Sequence, residues 1–409
     1  MLSVSEARAR ILNTFISVGA TSLPIERLYG RVLASAIVAR TDLPLFDNSS
    51  VDGFALRISD VSGADRTSPR NLDVIADIRA GTSSTLSLEA GQCARIMTGA
   101  PLPNGSDAVV MVEDTDFQVR TPGAPAPQRV AIYRSIQLGE NVRHLGDDLH
   151  IGDPVLLAGT RLRAQEIGLL AMLGMAEVPV YRLPRVALLS SGDELLPVDA
   201  QLTPGKIHDA NSYILTALSE SAGVELIRLW IASDNEADVR SHLRRAVEEH
   251  ADVIISSAGV SVGAFDYVKA IVQTDGKLEF WKVDIRPGKP LAFGNFQGIP
   301  FFGLPGNPVS AFVGFEVFVR PALEKLSGQA LRQRPRLKAY LVESVTSDGR
   351  ESYLRAVVTE EDGHLLARLT GHQGSGNIFS LVQANALLIV PSGVKSLPAT
   401  SEVEIWLIE

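Results

Sequence analysis

The chain has 409 residues, 45% of them hydrophobic, with 34 glycines, 22 prolines and a net charge of −9. That length predicts more than one domain and a core large enough to need no covalent staples. The negative balance leaves no basic surplus for neutralising phosphate backbones, so nucleic acid is not expected as a partner. The single cysteine, Cys93, excludes an internal disulfide framework and any zinc site built on several thiolates. The first twenty residues lack a basic segment followed by an apolar core, and no apolar run approaches the roughly 18 residues of a membrane span. A cytoplasmic protein is the expectation.

In chain order, Ser3 and Glu6 stand in capping-box spacing ahead of Ala7, Ile11, Leu12, Phe15 and Ile16, which recur at helical spacing. A Pro/Asp/Asn/Ser-rich stretch, TDLPLFDNSSVDGFAL, follows Arg31–Ser35, and from there to about Asp148 the pattern is short strands and turns. FALRI, LDVIADI, CARIMTG, AVVMVED and RVAIYRS are the strand candidates, and TPGAPAPQ at 121–128 reads as a hairpin tip or loop. The helical period resumes at 161–177 and is expected to rejoin the first helix. From Arg185 onward, strands alternate with helices: RVALLSS, NSYILTALSESAG, VELIRLWIA, NEADVRSHLRRAVEEH and DVIISSAG, then a helix around Phe265–Thr274. LEFWKV, PLAFGNF and IPFFGL are strands, and NPVSAFVGFEVFVRPALEKL is a helix. This alternation predicts a doubly wound α/β sheet. After Leu326, LKAYLVES, YLRAVVTE, HLLARLT, ALLIVPS and VEIWLIE predict a small all-β domain.

Ligands of such sheets sit beyond the carboxyl ends of the strands. Four strand ends fit: Gly192-Asp193-Glu194, Ser233-Asp234, Ala258 to Gly263 with Asp266 beyond, and Leu304-Pro305-Gly306-Asn307-Pro308 with Ser310 beyond. The glycine loop leaves backbone N–H groups free for phosphate oxygens. Glu194, Asp234 and Asp266 have the chemistry to hold Mg²⁺, which takes a few carboxylates with phosphates and water. A single acid at such a place is more often a helix N-cap, and Asp234 before NEADV fits that role. In the run Lys282-Val-Asp284-Ile-Arg286-Pro-Gly-Lys289-Pro290, the residues 282, 284 and 286 share a face if the segment is extended. Alone the run reads as charged gatekeepers of a sheet edge; beside carboxylates and a glycine loop it suits an oxyanion. The segment Asp47–Phe54 lacks the spacing of a calcium loop, and an Asx-type turn or a ligand loop both remain open for it. Thr98–Pro101 and Arg143–Asp148 are polar turns open to either reading.

Taken together, DNSSVDGFA, RIMTGAPLP, SGDEL, HDAN, SSAGVSVGAFDYVK, RPGKP and GLPGNPVS resemble the molybdopterin molybdotransferase family, which includes the gephyrin E domain, and their order matches over nearly the whole chain. The resemblance implies a multidomain α/β fold. Its parts are a composite first domain (1–40 with 150–178), a β-rich inserted domain (41–149), a doubly wound molybdopterin-binding α/β domain (179–326) and a C-terminal β-barrel-like domain (327–409). It also implies a reaction, in which molybdate enters the dithiolene of adenylylated molybdopterin and AMP is released with Mg²⁺ involved.

Carried over by motif, the reacting residues are Asp52, Thr98, Asp148, Glu194, Asp234, Asp266, Lys282 and Arg286, with Asp266, Glu194 and Asp234 at the metal. Gly259, Ser261, Gly263, Asp209, Asn211, Lys289, Pro305, Pro308 and Ser310, with Arg355 and Ser375 of the last domain, bind the substrates. Lys289, Ser310, Arg355 and Ser375 are the molybdate set. A homodimer with a shared site is implied, with the adenylyltransferase and recipient molybdoenzymes as further partners. The family's G-G-V-S loop begins here with Ala258, the acid after Gly263 is Ala264, and the first lysine of K-P-G-K-P is Arg286. Two other readings carry weight: a molybdopterin-binding scaffold with little turnover, and the molybdopterin adenylyltransferase. The flanking β modules and DNSSVDG favour the molybdate-inserting enzyme over the latter.

Overall fold

The computed structural model describes the chain apart from residues 83–84, 118–122, 259–263, 331–333 and 409, and apart from the side chains of 258, 264–266 and 269. Two compact units emerge: Met1–Ser35, Ala158–Ala171 and Met175–Glu409 form one, and Ala36–Leu157 with Met172–Gly174 the other. Among the described residues, no helix is long and apolar enough to cross a membrane.

Helix α1 (Val4–Thr14) starts with the expected capping box: Ser3 Oγ accepts the Glu6 N–H at 3.2 Å, and the Glu6 carboxylate accepts the Ser3 N–H at 2.9 Å. Val4, Ala7 and Ile11 are buried, and so is Phe15 just past the helix end. Ile16, grouped with that stripe in the sequence, is 81% exposed instead, because the chain turns extended at Phe15 and the helical period stops. Strand β1 (Ala20–Pro24) follows.

The smaller unit is built on five strands: β2 (Gly53–Leu56), β3 (Arg70–Ile78), β4 (Gln92–Ile96), β5 (Ala108–Met111) and β6 (Arg129–Ile132), in the order β5-β2-β4-β3-β6. Alternate residues serve opposite faces, as a period of two requires. Phe54, Leu56, Cys93 and Val110 lie in one cluster, and Ala55, Ala94, Ile96 and Val109 in another. Gly53 admits no substitute, because a Cβ there would stand 1.9 Å from the Val110 carbonyl oxygen across the β2–β5 pair. Of the 121–128 tip, residues 121 and 122 lie outside the described residues.

Back in the larger unit, helix α2 (Ala164–Met172) precedes β7 (Glu177–Tyr181), which pairs antiparallel with β1. Bridges Val32–Arg161 and Leu33–Val180 tie residues 32 and 33 to the same segment.

Next come β8 (Arg185–Ser191), α3 (Asn211–Ser221), β9 (Glu225–Ala232), α4 (Glu236–Glu248), β10 (Val253–Ala258), α5 (Ala264–Asp275), β11 (Gly276–Lys282), β12 (Pro290–Phe296) and β13 (Ile299–Pro305). The sheet order is β9-β8-β10-β13-β12-β11. The first four strands are parallel and the last two antiparallel. Helices cover both faces. Leu215, Val309 and Phe318 join α1 residues on one side, where Phe15 stacks at 6.0 Å on Phe302, while Val239, Leu243, Val268 and Ile271 cover the other.

The long helix expected at 307–326 is one helical run in three parts: α6 (Pro308–Gly314), a π-turn (Phe315–Val319) and α7 (Arg320–Leu326). Pro321 supplies no N–H to a regular i→i−4 ladder, and a π-turn just before it absorbs the break. The C-terminal strands β14 (Leu337–Leu341), β15 (Glu351–Glu361), β16 (His364–Leu369), β17 (Ala386–Val390) and β18 (Glu402–Leu407) close into a five-stranded barrel, β15-β16-β14-β18-β17 and back to β15. Leu341, Leu354, Leu388 and Ile405 fill its interior. Tyr353, Leu387 and Trp406 belong instead to the α/β core cluster, so one barrel wall is continuous with that core.

Candidate active site

The chain leaves β8 for the edge strand β9 and returns to β10 on the other side of β8, which makes the carboxyl ends of β8 and β10 the topological switch point. Each end is a pair of serines on an apolar strand. Ser190, Ser191 and Ser256 are buried, and among the described residues their hydroxyls have no hydrogen-bond partner. Asn211, at the start of α3, donates through Nδ2 to Ser257 Oγ at 2.8 Å and to the Gly306 carbonyl at 2.6 Å, joining the ends of β10 and β13. Its own Oδ1 has no partner among the described residues. Asp209, 4% exposed, accepts the Ser212 N–H at 3.1 Å and so caps the same helix. Sequence reasoning named Asp209 and Asn211 but missed the serines. Two hydroxyls ending each of two otherwise apolar strands were the available signal.

The loop after β8 is held by its own acid. Gly192 has φ +148°, and a Cβ there would stand 2.5 Å from Glu194 Oε2, so only glycine lets the Glu194 side chain fold back. Asp193 Oδ1 accepts the Asp234 N–H at 3.0 Å, linking the ends of β8 and β9. The cap expected of Asp234 belongs to its neighbour. Asn235 is the N-cap of α4, accepting the Asp238 N–H at 2.9 Å from an extended backbone that directly precedes the first helical turn. Asp234 is thereby released from capping, and among the described residues its buried Oδ1 has no partner. Gly259, Ser261 and Gly263 lie outside the described residues, as does the Asp266 side chain. Among the described residues, no three His, Cys, Asp or Glu side chains come together in a metal-holding group.

The cationic run alternates as expected. Lys282 is exposed, Val283 and Ile285 are buried, and Asp284 and Arg286 are half-buried. It does so without forming one strand. Val283 bridges to Leu2, the Asp284 N–H donates to the Leu2 carbonyl at 2.8 Å, and Ile285–Arg286 pair in parallel with Glu351–Ser352 of the barrel. Lys289 is exposed, and its carbonyl accepts the Val283 N–H at 3.1 Å. Gly288, φ +103°, passes so close to α6 that a Cβ would lie 3.5 Å from the Ser310 carbonyl.

Around the start of α6 the expected molybdate residues come together. Pro305 ends β13, Pro308 opens α6 and Ser310 is 3% exposed. Ser375 reaches over from the barrel: its Oγ accepts from Asn307 Nδ2 at 2.9 Å, and its carbonyl accepts the Val309 N–H at 3.1 Å. Arg355, on β15, is fully buried. Its Nε donates to Ser380 Oγ at 3.0 Å and its Nη2 to the Gly374 carbonyl at 3.0 Å, both neutral, while Nη1 has no partner among the described residues. Burial lowers this guanidinium to about 10, with the Arg286 cation adding to the effect. Among the described residues, Arg355, Arg286, Lys282 and Lys289 form no ion pair. A buried cation with a spare donor and no counter-charge is a place for an anion.

In the smaller unit, Asp52 Oδ1 accepts both the N–H and the hydroxyl of Thr98, at 2.7 and 2.8 Å, and both residues are exposed. The loop is therefore a structured turn that presents a carboxylate. Asp47 holds its other end by accepting the Leu145 N–H at 2.8 Å; that bond, with His144 beside it, keeps the Asp47 carboxyl below its ordinary range. Asp148 pairs with Arg143 on the surface.

A doubly wound domain followed by a closed C-terminal barrel places the chain in the class of multidomain α/β proteins. Residues 2–174 match the MoeA N-terminal region (domain I and II), residues 187–325 match the probable molybdopterin binding domain, and residues 338–408 match the MoeA C-terminal region (domain IV). The chain is 37% identical to molybdopterin molybdenumtransferase 2 of Mycobacterium tuberculosis, over 99% of both chains. It is 39% identical to the molybdopterin molybdenumtransferase of a Nostoc species, over 91% of this chain and 85% of the other. A crystal structure of the molybdopterin biosynthesis moeA protein of Pyrococcus horikoshii superposes with a TM-score of 0.83 at 29% identity, covering all of both chains. The chain belongs to the molybdopterin molybdenumtransferase family.

Proposed function

We propose that this protein inserts molybdate into adenylylated molybdopterin and releases AMP, giving molybdenum cofactor. The observation that carries the reading is Arg355, a fully buried guanidinium with one unpartnered nitrogen beside Ser375, Ser310 and the Arg286-Pro-Gly-Lys289 turn. Molybdate is a tetrahedral dianion, and it supplies the acceptors and the charge that this cluster lacks. The buried serine hydroxyls at the ends of β8 and β10 are donors for phosphate oxygens in the adjoining crevice. Lys282 and Arg286 offset the negative charge that collects as water attacks the phosphoanhydride and AMP leaves.

Mg²⁺ fits the acids of this crevice. Among the described residues Asp234 has a buried carboxylate oxygen without a partner, and Glu194 folds back over Gly192 in the loop after β8. We assign Glu194 and Asp234 to the ion, together with Asp266. When bound, it neutralises phosphate charge. Asp52, Thr98 and Asp148 are assigned to the site of a second subunit in a homodimer. In keeping with the family, the four-part division at residues 40, 149, 178 and 326 is part of the same reading.

The test is AMP release by the purified protein supplied with adenylylated molybdopterin, molybdate and Mg²⁺. Release is expected, with a loss of about 100-fold or more in Arg355→Met and in Asp266→Asn. No AMP from the wild type, or release indifferent to both substitutions, ends this reading.

A further inference from the structure

A second concavity, of about 430 Å³, lies between α3 and the edge strand β9, within the usual range for small-molecule pockets. Leu188, Leu195 and Pro197 form its apolar floor, and Tyr213, Thr216 and Trp230 its walls. Trp230 is the anomaly. It has φ +65°, a left-handed backbone that bulky residues rarely adopt, where the β8–β9 register slips between Leu188 and Leu189. Strain of this kind persists where the structure over-determines it and clusters at ligand sites. Its result here is an indole left 61% exposed at the cavity wall.

Arg228 lies over both aromatic rings, 5.9 Å from the centroid of Tyr213 and 5.9 Å from that of Trp230. The three side chains make a π and cation surface of the kind that nucleobases stack upon. Two buried polar groups face the same space: Asp209, 4% exposed, and Thr216, 6% exposed. The cavity also adjoins the crevice. Asp209 lines it, and two residues on Asn211 binds Ser257 and Gly306 at the ends of β10 and β13.

We infer that this cavity holds the fused nitrogen heterocycle of the substrate, stacked on Trp230, Tyr213 and Arg228, while its phosphates lie in the crevice beyond α3. The inference rests on adenylylated molybdopterin being the substrate. That molecule carries two such rings, adenine and the pterin, and both offer a flat π face for stacking.

Calorimetric titration of the full-length protein with AMP and, separately, with 6-hydroxymethylpterin distinguishes the two. The informative variant is Trp230→Gly, because glycine adopts φ +65° without strain and the fold is kept while the ring is lost. Thr216→Met fills the cavity from α3 as a second variant. The expected result is that Trp230→Gly and Thr216→Met weaken one of the two ligands by about tenfold. The KM for adenylylated molybdopterin then rises by a similar factor, with the loss falling on KM rather than kcat. Loss of AMP binding assigns adenine, and loss of pterin binding assigns the pterin. A wild type that binds neither ligand, or variants that bind both as the wild type does, overturns the cavity assignment. AMP release by the wild type with an unchanged KM in both variants discards the cavity and keeps the reaction. Stacking through Trp230 without any AMP release does the reverse.

Discussion

Arg355 places a full positive charge inside the protein with only neutral oxygens around it. The cost of that arrangement is removed when an anion binds, so molybdate is expected to stabilise the folded chain by mass action, about 2.7 kcal/mol at 100 times the dissociation constant. Thermal unfolding with and without molybdate measures the shift, and Arg355→Met is expected to abolish it. The depressed guanidinium makes a separate demand. A base whose folded pKa lies below its unfolded value is protonated less readily when folded, so the unfolded state binds more protons in the window between them. Stability contributed at this site therefore rises as pH climbs above about 10, and is flat at neutral pH. Asn211 is the other residue whose loss is legible from its bonds. Replacing it with alanine leaves Ser257 and the Gly306 carbonyl unserved, and a cost of about 1–3 kcal/mol in urea unfolding is expected.

At the scale of elements, helix termini show how far local sequence rules reach. The Ser3/Glu6 box was readable because both partners lie within four residues of each other. Asp234 was misread as a cap because Asp and Asn are equally good caps, and only the backbone says which of two adjacent residues turns extended. Helix α2 carries a testable version of the same device. Glu166 accepts from the Arg163 side chain and from the Arg163 N–H at 2.8 Å, and these bonds hold its carboxyl down at about 2. A carboxylate depressed below its unfolded 4.5 contributes stability that is complete above that value and is lost as pH falls toward 2. Glu166→Gln is expected to lower the melting temperature near neutral pH, and the gap from wild type should close across that acid window. In the smaller unit, Gly53→Ala is expected to separate β2 from β5, at a cost of roughly 1–3 kcal/mol or more. Limited proteolysis should then cut residues 36–157 first.

For the whole molecule, the proposed homodimer predicts complementation. Asp52→Ala and Arg355→Met are each expected to be inactive, since the first removes a carboxylate of the smaller unit and the second the buried cation of the larger. Mixed subunits of the two variants would contain one site with both groups intact if the site is shared, and AMP release should partly return. No recovery after verified subunit exchange would mean that each chain completes its own site. Glu316 bears on the helix that carries Ser310: it is buried in the π-turn and paired with both Arg320 and Arg334. Glu316→Gln strands two cations on one face, and a loss of about 3–5 kcal/mol is expected.

The sequence by itself determined the order of elements and the family. Each depends on short-range information: apolar periodicity, turn residues next to strand ends, and motifs such as GLPGNPVS that are contiguous in the chain. Only the tertiary structure decided which of the named groups lack partners. Arg355 and Ser375 reach the start of α6 because the barrel closes and its loop docks on Asn307 and Val309, contacts between residues 68 and 66 positions apart in the chain. The serines of RVALLSS and DVIISS became functional candidates only when the strand order put their ends side by side at the switch point. The left-handed Trp230 and its cavity had no sequence signal at all, since a tryptophan inside VELIRLWIA reads as an ordinary strand residue. Strain and absent hydrogen-bond partners are properties of the packed chain, and they mark where this protein is built to receive something else.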